Sequence, residues 1–288
     1  MKRIVVGVDC SEGSLDALDW ATGVAERTGA PLQLVTGWEY PWWSFLPAPI
    51  SLTPVPNPGD VEGSVAAGIE ALVAERGIEH LLAGRPVIRE GGGAAVLVGE
   101  AQPDDLVVVG TRGHGAAVDT LIGSVSSRVV ATAPCSVVVV PPGSLARRAA
   151  GPVVVGVDGS DQSLAAVAWA VANTGKDTPV TVVATWGVPM LFGHDGLSSD
   201  VATVLESDQR RAEAAADRAA GVLASAGRPF CVEVCQGDAR RVIAEFGSRA
   251  LMIVVGARGR TGLSHALLGS VTTSLVHRPG CVVVVVRS

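Results

Sequence analysis

The stretch GTRGHGAAVDTLIGS, residues 110–124, returns with the same skeleton as GARGRTGLSHALLGS at residues 256–270. In both stretches a Gly is followed by two residues, a second Gly, nine residues and a Gly-Ser pair. A fixed spacing of this length indicates that the chain contains two copies of one folding unit.

The similarity of the two halves extends well beyond these loops. RIVVGVDCSEGSLDALDWA at residues 3–21 aligns with PVVVGVDGSDQSLAAVAWA at residues 152–170. We therefore predict two domains, residues 1–143 and 151–288. We assign residues 144–150 as the linker, because this basic stretch follows a Pro-Pro-Gly turn signal and has no periodicity.

Each half alternates short apolar runs with longer amphipathic segments. Runs such as RIVVGV, DLVVVG and SVVVV are continuous and β-branched, which is typical of strands buried on both faces. Strands alternating with helices predict an α/β fold with parallel strands and right-handed crossovers. We predict two tandem doubly wound, Rossmann-like domains, each with a five-stranded parallel sheet of strand order 3-2-1-4-5.

The last strand of each half, residues 136–140 and 282–286, is expected at a sheet edge. An apolar edge invites aggregation unless it is paired or covered. We therefore expect these two strands to pair with one another inside the chain. With less support, we expect two tandem chains to form a homodimer.

Charge, hydropathy and cysteine usage limit the functional classes. A net charge of −6 without a basic cluster argues against nucleic acid as a partner. No apolar run has the length of a signal-peptide core or a membrane span, which predicts a soluble cytoplasmic protein. The five cysteines show no metal-ligand spacing, so we expect structural thiols. CVEVC at residues 231–235 alternates like a strand, and burial is expected for its two thiols.

The repeated loop predicts a phosphate-binding site. Gly110 and Gly256 directly follow strands, and the Gly-Ser pairs, Gly123-Ser124 and Gly269-Ser270, begin predicted helices. Glycines allow close approach of a polyphosphate, and free N–H groups at a helix start favour negative charge. The loop is neither a P-loop nor a GxGxxG fingerprint.

The spacing resembles the G-2x-G-9x-G-(S/T) nucleotide motif of the universal stress protein family, in its ATP-binding branch, with the tandem arrangement seen in actinobacteria. The resemblance implies roles for one aspartate per half, Asp9 and Asp158, beside the ribose and phosphates. An N-cap or Asx turn is the structural alternative for both, and Ser11 and Ser160 are equally suited to capping.

The same resemblance implies the remaining walls of each pocket. Backbone at the end of the second strand holds the base in that family, which corresponds to Gly37 and Thr185. The loop after the third strand adds Gly91 and Gly237, each 19 residues before the first Gly of its motif. The second Gly of each motif, Gly113 and Gly259, completes the implied phosphate loop.

Polar residues in and after the loops are less specific. Arg112 and Arg258 are candidates to neutralise phosphate, with a solvated loop charge as the equal alternative. Ser126 and Thr272 lie in the first helical turn, where they either reach phosphate or cap the helix. The paired tryptophans, Trp20 with Trp169 and Trp38 with Trp186, are expected to have packing roles.

These residues predict a regulatory protein that binds one ATP with Mg²⁺ in each half and acts in stress responses. A slow ATPase or phosphotransferase using Asp9 or His114 is the alternative function, and His114 has no counterpart in the second half. Residues 39–60, rich in Pro and aromatic residues, are either a loop packed on its own domain, which we favour, or a lid or protein-docking segment.

Overall fold

The computed structural model describes residues 1–39, 57–111, 122–147, 151–187, 199–259 and 268–288. These residues form two compact units, Met1–Cys135 and Ser136–Ser288. Strands alternate with helices in both, so the predicted α/β class is confirmed.

The first unit contains four strands and four α-helices among its described residues. In chain order they are β1 (Ile4–Gly7), α1 (Glu12–Thr28), β2 (Leu32–Trp38), α2 (Pro58–Arg76), a 3₁₀ turn (Glu79–Leu81), β3 (Val87–Glu90), α3 (Gly93–Glu100), β4 (Leu106–Gly110) and α4 (Ser124–Thr132). The four strands are parallel and lie in the order β3-β2-β1-β4, the order predicted for the first four strands of each half.

The second unit contains six strands and five α-helices among its described residues. They are β5 (Ser136–Val140), α5 (Ser144–Arg147), β6 (Val153–Val157), α6 (Asp161–Asn173), β7 (Val180–Trp186), α7 (Ser199–Ser225), β8 (Phe230–Gln236), α8 (Ala239–Gly247), β9 (Met252–Gly256), α9 (Ser270–His277) and β10 (Val282–Val286). The stretch predicted as an aperiodic linker therefore begins with a one-turn helix, α5.

The parallel strands of the second unit lie in the order β8-β7-β6-β9-β10. This is the predicted order 3-2-1-4-5. The expected pairing of the two terminal strands is also confirmed: β5 runs antiparallel to β10, with Val138 opposite Val284. The fifth strand of the first half thus groups with the second unit, where it covers the edge of β10.

The central strands form the core because most of their residues are apolar, commonly β-branched, and buried. Valines of β4, β5, β6, β9 and β10 are almost fully inaccessible to solvent. The helices begin at side-chain caps where the sequence supplies them. Ser11 accepts the Ser14 N–H at the start of α1, and Ser160 accepts the Ser163 N–H at the start of α6. Both capping expectations are confirmed.

The cysteines depart from expectation in one strand. All five are free thiols, and Cys135 and Cys281 are buried as predicted. CVEVC does form a strand, β8, but Cys231 is exposed and Cys235 is only half-buried. The expected burial is wrong because β8 is the outermost strand of the second unit and has β7 as its neighbour on one side only.

Candidate functional site

A cavity of about 510 Å³ opens at the carboxyl ends of β6, β7 and β9 in the second unit. Ligands of open α/β sheets bind at this end of the strands. All nine candidate residues of the second half line the cavity: Asp158, Thr185, Gly237, Gly256, Arg258, Gly259, Gly269, Ser270 and Thr272. The fold therefore brings these nine residues together around one cavity.

Helix α9 points its N-terminus at this cavity without a side-chain cap. Its N-cap residue is Gly269, which makes no side-chain hydrogen bond, whereas α6 is capped by Ser160. The first N–H groups of a helix have no partner within the helix. Ser270, the exposed first residue of α9, and Val271 line the cavity. The geometry therefore presents a helix start suited to an anion.

Asp158 stands beside the glycine loop, held in a fixed orientation. Its Oδ1 accepts the Ser160 N–H at 3.0 Å and the Ser160 hydroxyl at 2.6 Å. A Cβ built on Gly259 would collide with the other carboxylate oxygen, Oδ2. The Asx turn considered from the sequence is therefore present, and the same carboxylate packs against the loop. The two interpretations of Asp158 are compatible.

The first glycine of each motif has a structural role that the sequence did not reveal. A Cβ on Gly110 would collide with the Gly13 carbonyl of α1, and a Cβ on Gly256 would lie 2.9–3.0 Å from Gln162 of α6. The sequence argument placed these glycines against phosphate. The structure instead shows that they let the end of β4 or β9 approach the first turn of a helix.

Two further candidates use their hydroxyls inside the protein. Thr272 is buried and donates to the Gly256 carbonyl at 2.8 Å. Ser126, its first-unit counterpart, is buried and donates to the Gly123 carbonyl at 3.1 Å. These hydrogen bonds brace the glycine loop. The hydroxyl protons are therefore directed at backbone carbonyls and not at a ligand.

Arg258 is positioned by its backbone. Its N–H donates to the Gln162 side-chain oxygen at 2.7 Å, and the residue is half-buried in the cavity wall. Its first-half counterpart Arg112 and the adjacent Gly113 lie outside the described residues.

The ends of the second and third strands meet in both units through the same hydrogen bond. The Gly91 N–H donates to the Trp38 carbonyl at 2.8 Å, and the Gly237 N–H donates to the Trp186 carbonyl at 2.9 Å. Both glycines have positive φ, +135° and +146°. Such angles are strained for any residue with a Cβ, which explains why glycine occupies this position in both halves.

The remaining first-unit candidates occupy corresponding places. Gly37 packs closely on the loop after β3: a Cβ added to Gly37 would lie 2.7 Å from the Gly91 carbonyl oxygen. Asp9 Oδ1 accepts the Ser11 N–H at 3.0 Å, as Asp158 does with Ser160. Gly123 is the N-cap of α4 without a side-chain hydrogen bond, and Ser124 begins that helix exposed.

Sequence reasoning missed one wall of the cavity, which helix α7 supplies. Asp208 Oδ2 accepts the Gly187 N–H at 2.8 Å, just after β7, and Arg211 pairs with the same carboxylate. Val204 and Ser207 of the same helix also line the cavity. The amphipathic pattern of α7 predicted a helix but not the position of its first turns. Trp186 lines the cavity as well, so its role is not packing alone.

Two titratable groups near the pockets have shifted pKa values. Asp238 caps α8 beside Gly237, and its hydrogen bond to the Arg240 side chain lowers its pKa to about 2. In the first unit, partial burial and the Asp9 carboxylate raise the pKa of the Cys10 thiol. The Cys10 thiol is therefore protonated at neutral pH.

The universal stress protein family model matches residues 1–141 and 150–287, two tandem segments that together cover nearly the whole chain. The chain belongs to the universal stress protein family. The universal stress protein Rv2005c of Mycobacterium tuberculosis is 30% identical over 298 residues, which cover 99% of this chain and 96% of the relative. The predicted family is therefore confirmed.

Solved universal stress protein structures share the fold of this family member. One from Archaeoglobus fulgidus superposes with a TM-score of 0.61 at 17% identity, covering 99% of this chain and 98% of the other. A putative one from Pseudomonas aeruginosa superposes with a TM-score of 0.64 at 18% identity, covering 99% and 93%. Among the described residues, no helix is long and apolar enough to cross a membrane.

Proposed function

We propose that this universal stress protein is a regulatory nucleotide-binding protein that binds one ATP in each half. Family membership supports a role in stress responses. The ATP assignment rests on the glycine motif, which occurs complete in both halves, and on the aspartate and the helix start that lie beside it.

One observation carries the proposal: nine residues selected by the repeated motif and by the family resemblance line a single cavity. At one end of that cavity lies the uncapped start of α9, with Gly269 as N-cap and Ser270 exposed. At the other end lie Thr185 and Gly187, at the close of β7. A cavity about two strand spacings wide, roughly 10 Å, with an anion site at one end suits an elongated anionic ligand such as a nucleotide.

Mg²⁺ fits this arrangement as a companion of the nucleotide. The ion is usually held by one or two carboxylates together with substrate phosphates, not by a cage of protein ligands. Asp158 supplies such a carboxylate in the second half, and Asp9 supplies it in the first. Neither needs further acidic neighbours, in keeping with the described residues, which form no group of three potential metal ligands.

Binding without turnover is the function that the aspartates favour. Asp9 and Asp158 each have one oxygen engaged by a serine hydroxyl and N–H, which holds each carboxylate in a fixed orientation. The alternative, slow hydrolysis in the same pockets, predicts phosphate release that is lowered by removal of one carboxylate and abolished by removal of both.

Native mass spectrometry of the intact chain with ATP and Mg²⁺ tests the proposal. We expect species carrying one and two nucleotides, with two at saturation, and much weaker binding of inorganic phosphate alone. A folded chain that takes up no ATP in either half would refute the proposal. Malachite-green detection of free phosphate in the same samples tests the hydrolysis alternative.

A further inference from the structure

Strand β8 ends the sheet of the second unit with an open backbone edge. All seven of its residues pair with β7, from Val180 opposite Phe230 to Trp186 opposite Gln236. Within the described part of the chain, β8 has no second strand neighbour. Its outer N–H and C=O groups therefore remain available to pair with another strand, over roughly 23 Å.

Apolar side chains accompany this open edge. Phe230 and Val232 are 37% and 38% exposed, and Val222 in the last turn of α7 is 37% exposed. They are three of the six exposed large apolar residues in the described ranges. Since α7 leads directly into β8 and contacts it, these side chains belong to one region of the surface. Exposed apolar groups beside an open strand edge are typical of an interaction surface.

The equivalent edge of the first unit is protected. Strand β3 has only four residues and ends in two charged ones, Arg89 and Glu90. Short, charged strands are the usual protection against edge-to-edge pairing. The open edge is therefore a property of β8 and not a general feature of this fold.

The residue order of β8 allows it to pair with itself. When two identical strands pair antiparallel about a two-fold axis perpendicular to the sheet, a residue must lie opposite its own copy, because side chains on one face meet. Near the centre of β8 the choices are Val232, Glu233 and Val234. An axis at Val234 would leave Phe230 without a partner residue in β8. An axis at Glu233 places two carboxylates opposite each other, which is unfavourable.

An axis at Val232 pairs five residues of β8, Phe230 to Val234, and places apolar side chains opposite each other on one face. Phe230 of each copy then lies opposite Val234 of the other, and Cys231 lies opposite Glu233. Phe230, Val232 and Val234 share one face of the strand. We propose that β8 binds a second copy of this chain by antiparallel pairing centred on Val232. A strand pair of five residues is small for a stable interface, so the dimer is weak and depends on concentration.

Sedimentation velocity over a concentration series tests the pairing. We expect the wild type to shift from monomer to dimer mass as concentration rises, and Val232→Lys to remain monomeric. Val125→Lys is the matched control, because Val125 is equally exposed, at 40%, but lies in α4. A wild type that stays monomeric, or a Val232→Lys chain that dimerises like the wild type, would overturn the proposal.

A charge-swap experiment tests the register itself. Val232→Lys and Val232→Asp should each be monomeric alone, since like charges would lie opposite each other. An equimolar mixture should dimerise, because opposite charges then face across the axis. Native mass spectrometry with one chain isotopically labelled identifies the mixed dimer. A mixture that stays monomeric under conditions where the wild type dimerises would overturn the register centred on Val232.

Discussion

The two candidate pockets share their backbone and differ in their side-chain supports. The strand-end glycine, the Gly-capped helix and the aspartate held by a serine occur in both units. The position after the aspartate differs, because the first unit has Cys10 with a φ of +59° where the second has Gly159 with a φ of +84°.

A second difference lies at the first turn of the helix beneath the glycine loop. In the second unit, Gln162 accepts the Arg258 N–H and so ties this helix to the loop. The aligned residue in the first unit is Gly13, which has no side chain to do so. The loop of the second unit therefore has a support that the first unit cannot provide in the same way.

The third difference concerns helices α2 and α7. Both end in the same turn: the Gly77 and Gly227 N–H groups bond to the carbonyls three residues back, of Ala74 and Ala224. Counted back from these glycines, Pro58 is at the position equivalent to Asp208, and Val61 is at the position equivalent to Arg211. The ion pair that walls the second cavity is thus absent from the corresponding positions. The strand-end glycine, the Gly-capped helix and the contact between aspartate and serine are shared, while the Gln162 contact and the Asp208–Arg211 ion pair belong to the second unit.

The largest effect on stability is expected at the shared glycines. Gly110→Ala should destabilise the first unit by about 3 kcal/mol, because its Cβ collides with the Gly13 carbonyl. Gly256→Ala should cost somewhat less, since its closest contacts, Cβ and backbone atoms of Gln162, lie at 2.9–3.0 Å, whereas the Gly13 carbonyl oxygen lies closer still to a Cβ on Gly110. Urea denaturation followed by circular dichroism measures both.

Gly221→Ala is the control for these substitutions. Gly221 lies inside α7 with open space around it, so this change should stabilise by about 0.5–1 kcal/mol. A Gly110→Ala chain with unchanged stability and weaker ATP binding would show that the glycine serves the ligand alone.

A smaller effect, confined to one pocket, is expected from Asp208→Ala. The change removes the acceptor of the Gly187 N–H and the partner of Arg211, so one end of the second cavity is less well ordered. We expect ATP binding at the second site to weaken roughly tenfold, or about 1.4 kcal/mol, and the affinity of the first site to stay unchanged. Calorimetry resolves this, with Glu206→Ala in the same helix as control. Equal weakening of both sites would contradict the comparison.

The helix caps beside the third strand give a pH-dependent difference. Asp238 caps α8, whereas α3 starts at Gly92 without a side-chain bond. Asp238→Ala should destabilise the second unit by about 1 kcal/mol at neutral pH. Because its folded pKa, about 2, lies below the ordinary 3.8, this stabilisation is full above pH 3.8 and is lost as pH falls towards 2. Urea denaturation of both chains at several pH values tests this, and a constant difference would contradict it.

The smallest effect is expected at the residue after the first aspartate. Cys10 has a φ of +59°, which is unfavourable for a residue with a Cβ. Cys10→Gly should therefore stabilise the first unit by about 0.5 kcal/mol, less than the strain itself because glycine also frees the unfolded chain. Gly159→Ala should destabilise the second unit by about 1 kcal/mol. Thermal unfolding in which the two substitutions do not change stability in opposite directions would refute this explanation.

Much of the fold was predictable because it depends on repeated local signals. Buried β-branched runs, Ser11 and Ser160 as caps, and the spacing of Gly91 and Gly237 each have a direct cause in backbone geometry. The pairing of β5 with β10 followed from the need to cover an apolar edge. These features require no knowledge of distant side chains.

The parts that were missed depend on which surfaces meet. No local pattern showed that Asp208 would reach the end of β7, or that Gly110 would lie on the first turn of α1. Cys231 is exposed because, among the described residues, β8 is an edge strand whose neighbours leave this side chain uncovered. Alternation in CVEVC predicts a strand but does not show whether anything covers it.

The most direct test of the central claim is the number of ATP molecules bound per chain in Ser124→Asp, Ser270→Asp and the double variant. Each introduced aspartate would lie at the first position of its helix, α4 or α9. There it would stabilise the helix by about 0.3–1 kcal/mol but repel phosphate. Titration calorimetry with ATP and Mg²⁺ should give two sites for the wild type, one for each single variant and none for the double. Two sites retained in the folded double variant would contradict the claim that the helix starts hold the phosphates.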